Sequence, residues 1–219
     1  MGKVILIFGV GDFAEILYEK LNSDAIPVSA FTVDPQFVTS DVFLRKPVIP
    51  YDRIRAFCAG HDADIYMGSV FHHHMFEARE KIFLRLLADG YGLPNYISPR
   101  ASVTARKIGC GNIIMENVVI ESHCVIGDGN LFWPNTVLPH HNRVGNYNNI
   151  SPSVSFSGYA QIGNRCLIGN NAVLNNHAVV RDRALVGAGA YVRHEVEEEQ
   201  VLVPAESYIL RGRKAYEFR

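Results

Sequence analysis

The chain has 219 residues, with 21 Lys and Arg against 22 Asp and Glu and a formal net charge of −1. Residues 1–98 carry 9 basic and 12 acidic side chains and residues 99–219 carry 12 and 10, so neither part has the basic excess that a nucleic-acid backbone demands. No run approaches the roughly 18 apolar residues of a membrane-spanning helix, and Cys58, Cys110, Cys124 and Cys166 show no CxxC spacing, so a reduced, cytoplasmic, metal-free protein is expected.

Lys3 to Phe8 reads as a buried first strand and not as a signal peptide. Gly9-Val10-Gly11-Asp12-Phe13-Ala14 follows, then a helical pattern through Ile16, Leu17 and Leu21. This is GxGxxA after a strand and at the opening of a helix. Glycines there permit a tight turn and a close backbone approach, and the helix N-terminus favours a phosphate. Val28 to Val33 reads as a second strand ending at Asp34, near the usual place of a ribose-binding carboxylate. Tyr51 to Cys58 and Met75 to Ala88 read as helices, and Asp64 to Gly68 and Asn95 to Ser98 as strands. About 95 residues form half of a dinucleotide fold, which suits a mononucleotide and argues against a dehydrogenase.

From Ile108 the chain carries a large apolar residue at every sixth position: Ile114, Ile120, Ile126, Phe132, Leu138, Val144, Ile150, Phe156, Ile162, Ile168, Leu174, Val180, Val186 and Val192. A period of six fits neither an α-helix nor a long plain strand. It fits short strands joined by tight corners, three sides to a coil, and so a repeat of eighteen. Small residues recur four places later, at Cys124, Ala160, Cys166, Ala172, Ala178, Ala184 and Ala190 among others. Thirteen of the fifteen Asn lie between Asn112 and Asn176, where corners that accept left-handed backbone are expected. The count never breaks, so five coils without an interrupting loop are predicted.

This pattern resembles the hexapeptide-repeat acyltransferases, which implies a left-handed parallel β-helix, a homotrimer and acyl transfer from coenzyme A between subunits. With the first hundred residues included, nearly the whole chain resembles the sialic acid O-acetyltransferase family, which contains N-acetyltransferases of nucleotide-linked 4-amino-4,6-dideoxy sugars. The resemblance implies an α/β half-Rossmann nucleotide-sugar domain at 1–97, a β-helix acyltransferase domain at 98–195 and a tail at 196–219. It implies acetyl-CoA as cosubstrate and acetylation of a sugar amino group in surface-glycan biosynthesis. O-acetylation of sialic acid or another surface sugar is the alternative, and a non-enzymatic nucleotide-binding scaffold is the alternative of another class.

The candidate base is His140. By the hexad count it falls outward on a corner, two residues after inward Leu138, and eighteen residues below Gly158. The resemblance places the family's catalytic His at this position, followed by an acid; here His141 stands in place of the acid. Glu121 stacks under Pro139 by the coil count and is a candidate to orient or charge-stabilise the imidazole, with His141 as a further catalytic candidate. The resemblance puts Asn149, Gly158, Asn170 and Ala188 along the acetyl-CoA groove, with the Gly158 N–H offered to the thioester carbonyl. Gly9, Gly11, Asp12, Phe13, Asp34 and Gly68 are the candidate nucleotide-sugar residues, Phe13 replacing a family His. Trp133, the lone tryptophan, walls the acceptor pocket or packs between subunits. His123, His141 and His177 share one corner column, and a ladder of rings along an edge does not converge on one metal ion. His72, His73 and His74 suggest a loop near the nucleotide cleft. Arg211, Arg213 and Lys214 form a basic cluster that is ordinarily solvated, with contact to the CoA phosphates of a neighbouring subunit as the alternative. Cys124 and Cys166 fall on inward positions, which argues against a cysteine acyl-enzyme.

Overall fold

The first ninety residues alternate buried apolar runs with amphipathic segments, the pattern of a parallel sheet covered by helices. The computed structural model describes residues 3–69 and 76–207. Strand β1 (Val4–Phe8), helix α1 (Asp12–Ser23), strands β2 (Ala30–Val33), β3 (Val42–Phe43) and β4 (Lys46–Pro50), the single turn α2 (Ile54–Phe57), strand β5 (Ala63–Met67) and helix α3 (Glu77–Ala88) build it. The sheet order is β3-β4-β2-β1-β5, parallel except for the β3–β4 hairpin. That hairpin was not foreseen. Its turn residues Leu44 and Arg45 both have positive φ, yet neither is the Gly, Asn or Asp that announces such a turn.

The predicted strand at Asn95–Ser98 forms at Tyr96–Ile97, but it does not complete the β/α unit. It pairs in parallel with Ile113–Ile114, so it opens the coil. The Tyr96 and Ser98 N–H groups donate to the Asn112 and Ile114 carbonyls of the next coil, each at 2.9 Å.

From there each hexad makes a two-residue strand, and strands eighteen residues apart pair in parallel, Val119–Ile120 on Val137–Leu138 for example. Three stacked sheets of six, six and seven strands result, a left-handed parallel β-helix. All fifteen predicted inward residues occupy the second place of a strand, and all but Ile108 are buried. Each contributes roughly 1.5–3 kcal/mol of burial. The coil continues past residue 195, because Glu195–Val196 and Val201–Leu202 pair on Val179–Val180 and Leu185–Val186.

Three places after each inward residue, from Gly111 to Gly189, the backbone is left-handed. Asn117, Asn135 and Asn171 take this corner as expected. Asn112, Asn130 and Asn148 do not: they are buried inside the coil, where they replace the small residue. Each Asn Oδ1 accepts the backbone N–H of the residue eighteen places on, at 2.9, 2.9 and 2.7 Å, ending on Cys166. Their side-chain amides donate to the Gly127, Gly145 and Gly163 carbonyls. The ladder satisfies polar groups that would otherwise be orphaned in the core. Cys124 and Cys166 are buried as predicted, and burial pushes the Cys166 thiol up to about 12.

Candidate active site

The β1–α1 turn forms because Gly9 adopts φ 131° and donates its N–H to the Thr32 carbonyl at 2.8 Å. A β-carbon on Gly9 would strike Ser69 and the Gly68 carbonyl, and one on Gly68 would strike Ile7 and Ala14. Gly11 is different. It caps α1 with extended backbone and no side-chain hydrogen bond, and a β-carbon there meets nothing within 4 Å. Gly11 thus leaves open space beside the N-terminus of α1, where an anion is favoured.

That space is a cleft of about 990 Å³. Gly9, Gly11, Asp12, Phe13, Asp34, Gly68 and Trp133 all line it, so the structure brings together every predicted nucleotide-sugar residue. Its walls are mainly apolar, from Phe8, Val10, Ile16, Val33, Phe37 and Ile82. Asp34 pairs with Arg85 at 2.7 Å, and Arg85 lies over the Tyr51 ring, 4.0 Å from its centroid. Lys81, paired with Glu77 at 2.7 Å, lines the same cleft as Arg85. Sequence reasoning missed both. Their signal is the helical spacing Ala78, Lys81, Ile82, Arg85, which sets one face of α3 toward the cleft.

Arg79, also missed, is 2% exposed. It donates to the carbonyls of Ser69 and of Gly129, the latter at 3.1 Å, tying the cleft rim to a coil corner. Burial lowers its guanidinium to about 10. Phe83 against Tyr147 (5.2 Å) and Glu80 with Arg165 (3.2 Å) fix α3 to the coil. On the other side of the cleft, Phe13 packs on Trp133 at 5.5 Å. The Trp133 indole donates to Asn149 Oδ1 at 2.8 Å. Trp133 is therefore a wall of the cleft.

His140 stands on a different corner, one side of the coil away from Trp133. It is exposed, and Gly158 lies directly above its ring. The Gly158 N–H is not used by any backbone acceptor among the described residues. Glu121 is exposed and makes no hydrogen bond or ion pair with His140 among the described residues. The partner of His140 is His141, with the two Nδ1 atoms 3.1 Å apart. His123, His141, Tyr159 and His177 form one continuous stack along this corner, with ring centroids 4.6, 4.7 and 5.0 Å apart.

Of the four residues assigned to an acetyl-CoA groove, only Gly158 adjoins His140. Asn149 is buried on the side facing the first domain, its oxygen taken by Trp133. Asn170 and Ala188 stack on the corner that follows Trp133. A single chain thus does not bring these three to the His140 corner. His72, His73, His74, Arg211, Arg213 and Lys214 lie outside the described residues. Among the described residues no cluster of three or more His, Cys, Asp or Glu is arranged to hold a metal ion.

Residues 107–140 match the family described as bacterial transferase hexapeptide (six repeats). This segment is a bacterial transferase hexapeptide repeat. The whole chain shares its fold with a mutant of perosamine N-acetyltransferase from Caulobacter crescentus, a structure in complex with CoA and GDP-perosamine. The TM-score is 0.82 at 22% identity, over 94% of this chain and 97% of that one. It also shares the fold of the acetyltransferase domain of PglB from Neisseria gonorrhoeae, solved in complex with acetyl coenzyme A. There the TM-score is 0.80 at 22% identity, over 92% and 96% of the two chains. No curated protein sequence matches the chain significantly.

Proposed function

We propose that the protein is an acetyl-CoA-dependent acetyltransferase acting on the amino group of a nucleotide-linked sugar of the 4-amino-4,6-dideoxy type, in surface-glycan biosynthesis. The observation that carries the reading is the exposed His140 beside a Gly158 N–H that no backbone group among the described residues accepts, in a chain whose first domain also offers a cleft at a helix N-terminus. The shared fold with a perosamine N-acetyltransferase over nearly the full length of both chains supports it. Two parts divide the work, the sheet-and-helix part before Tyr96 holding the nucleotide and the coil from Tyr96 to Leu202 the acyl donor.

In this mechanism the α1 N-terminus, Gly11 and the cations Lys81 and Arg85 hold the diphosphate, while Asp34 faces the ribose. His140 Nε2 takes a proton from the sugar amine as its nitrogen attacks the thioester carbonyl carbon. The carbonyl oxygen becomes an oxyanion and accepts from the Gly158 N–H. The C–S bond then breaks, leaving the amide, and the CoA thiolate takes the proton from the His140 imidazolium. No covalent enzyme intermediate forms.

The cleft and the His140 corner are a full side of the coil apart, which favours a homotrimer in which a second copy brings its groove residues to the base. Asn170 and Ala188 then line the pantetheine path from that copy. The proposed substrates favour a cytoplasmic location. Among the described residues no helix is long and apolar enough to cross a membrane.

The test is a thiol-release assay with acetyl-CoA, corrected for hydrolysis, against UDP-, dTDP- and GDP-linked amino sugars with the matching hydroxyl sugars as controls. Turnover confined to amino sugars is expected. Turnover of hydroxyl sugars alone would establish O-acetylation, and none with any acceptor would leave a binding scaffold.

A further inference from the structure

The hexad corner of His140 lacks the carboxylate that usually steers a catalytic imidazole. The residue after it is a second histidine, and the two rings meet edge on, 5.2 Å between centroids and 80° between planes. Their Nδ1 atoms are 3.1 Å apart. Two lone pairs facing each other at this distance repel, so one of the two atoms carries a hydrogen and the other accepts it.

We infer that His141 Nδ1 is the acceptor, so that a neutral imidazole takes the place of a carboxylate in fixing the tautomer of His140. His140 then carries its hydrogen on Nδ1 and keeps the Nε2 lone pair free for the acceptor amine. When Nε2 takes that proton, the resulting imidazolium still donates Nδ1–H to His141. His141 is a positioning residue, and this assignment rests on His140 being the base of the proposed acetyl transfer.

Three features hold His141 in this role. Its backbone is left-handed, φ 64°, as at every equivalent corner. Its ring is sandwiched between His123 at 4.6 Å and Tyr159 at 4.7 Å, nearly parallel to both, which fixes the ring plane in which Nδ1 meets His140. The imidazole is kept below its ordinary protonation range, first by desolvation and then by the neighbouring His123 and His140, which preserves the lone pair that accepts. His140, for its part, lies against the Gly158 α-carbon and meets Tyr159 edge on at 5.5 Å.

The coil itself supplies the substitutions that separate acceptor from stack. Tyr147 and Tyr159 already occupy the left-handed corner with φ 58° and 61°, and Asn117, Asn135 and Asn171 with φ 58°, 65° and 57°. His141→Phe therefore keeps the corner and the ring stack but removes the acceptor. His141→Asn keeps the corner and places Oδ1 where Nδ1 stood, but removes the ring. For acetyl transfer, His141→Phe is expected to lower kcat about 10- to 100-fold, part of the 10²–10⁴ that a general base contributes. KM for acetyl-CoA and the melting temperature stay unchanged. His141→Asn is expected to recover most of that loss. Equal losses in both variants, or wild-type kcat in His141→Phe, overturn the assignment.

A second readout needs no turnover. Nitrogen-15 shifts of the His140 ring, at a pH where both rings are neutral, report which nitrogen carries hydrogen. The wild-type protein is expected to show Nδ1–H, and His141→Phe a shift toward Nε2–H. An Nε2–H His140 in the wild type, or an unchanged tautomer in His141→Phe, overturns the assignment. Absence of acetyl transfer in the wild type would defeat the proposed reaction while leaving this measurement decisive for the pair.

Discussion

Gly158 and His140 are stacked so closely that a β-carbon on Gly158 would fall 2.7 Å from Cε1 of the imidazole. The glycine is required by the neighbouring side chain, since its own φ is not in the left-handed region. It leaves room for the ring and keeps an N–H beside it.

Gly158→Ala therefore pushes the His140 ring aside without disturbing the coil ladder. A misplacement on the order of 1 Å can cost a catalyst about 10²-fold. Steady-state kinetics are expected to show a kcat loss of that order with an unchanged melting temperature. Full turnover in the alanine variant would mean that the ring of His140 has no fixed place in the reaction.

Inside the coil, Asn130 accepts from the N–H and the side chain of Asn148 and donates to Asn112 and the Gly145 carbonyl. Asn130→Ala leaves several buried polar groups unpaired, at about 1–3 kcal/mol each before relaxation. Thermal melting is expected to fall by about 5 °C or more, since 1 kcal/mol moves a protein of this size by roughly 2–4 °C. An unchanged melting temperature would show that the ladder contributes nothing.

The coil was legible because a six-residue period is physically unambiguous: one inward residue from each short strand, Ile108 to Val192, and no loop to break the count. The buried Asn ladder was not, because Asn is also the residue of left-handed corners, and Asn117 and Asn130 look alike in sequence. The β3–β4 hairpin was hidden because Leu44 and Arg45 bear no turn signature. At the site, the glycine turn, Asp34 and Trp133 line one cleft. Glu121 does not reach His140: it stacks under Pro139 on the preceding coil, while His141 lies within hydrogen-bond reach. Lys81, Arg85 and Arg79 were missed as site residues, since a charge on a helix is ordinarily solvated and helical spacing alone does not tell which face packs against the cleft or the coil.

The two glycines of the first turn separate binding from folding. Gly11 has open space where a side chain would go, whereas Gly9 has positive φ and is hemmed in by Ser69 and Gly68. Gly11→Val is expected to fold normally and to fill the mouth of the cleft. Calorimetry should then show at least about a tenfold loss of nucleotide-sugar affinity, or about 1.4 kcal/mol, with CoA binding retained. Unchanged nucleotide affinity would make the first domain a structural module. Gly9→Val, by contrast, should lower the melting temperature.

The central claim is that His140 is the base, and His140→Ala tests it most directly. The residue is exposed on a corner, so its removal leaves the core intact. With acetyl-CoA and the best nucleotide-linked amino sugar of the panel, kcat is expected to fall about 10²–10⁴-fold, with CoA affinity and melting temperature unchanged. Near-normal turnover in His140→Ala would contradict the account and move the chemistry to another corner of the coil.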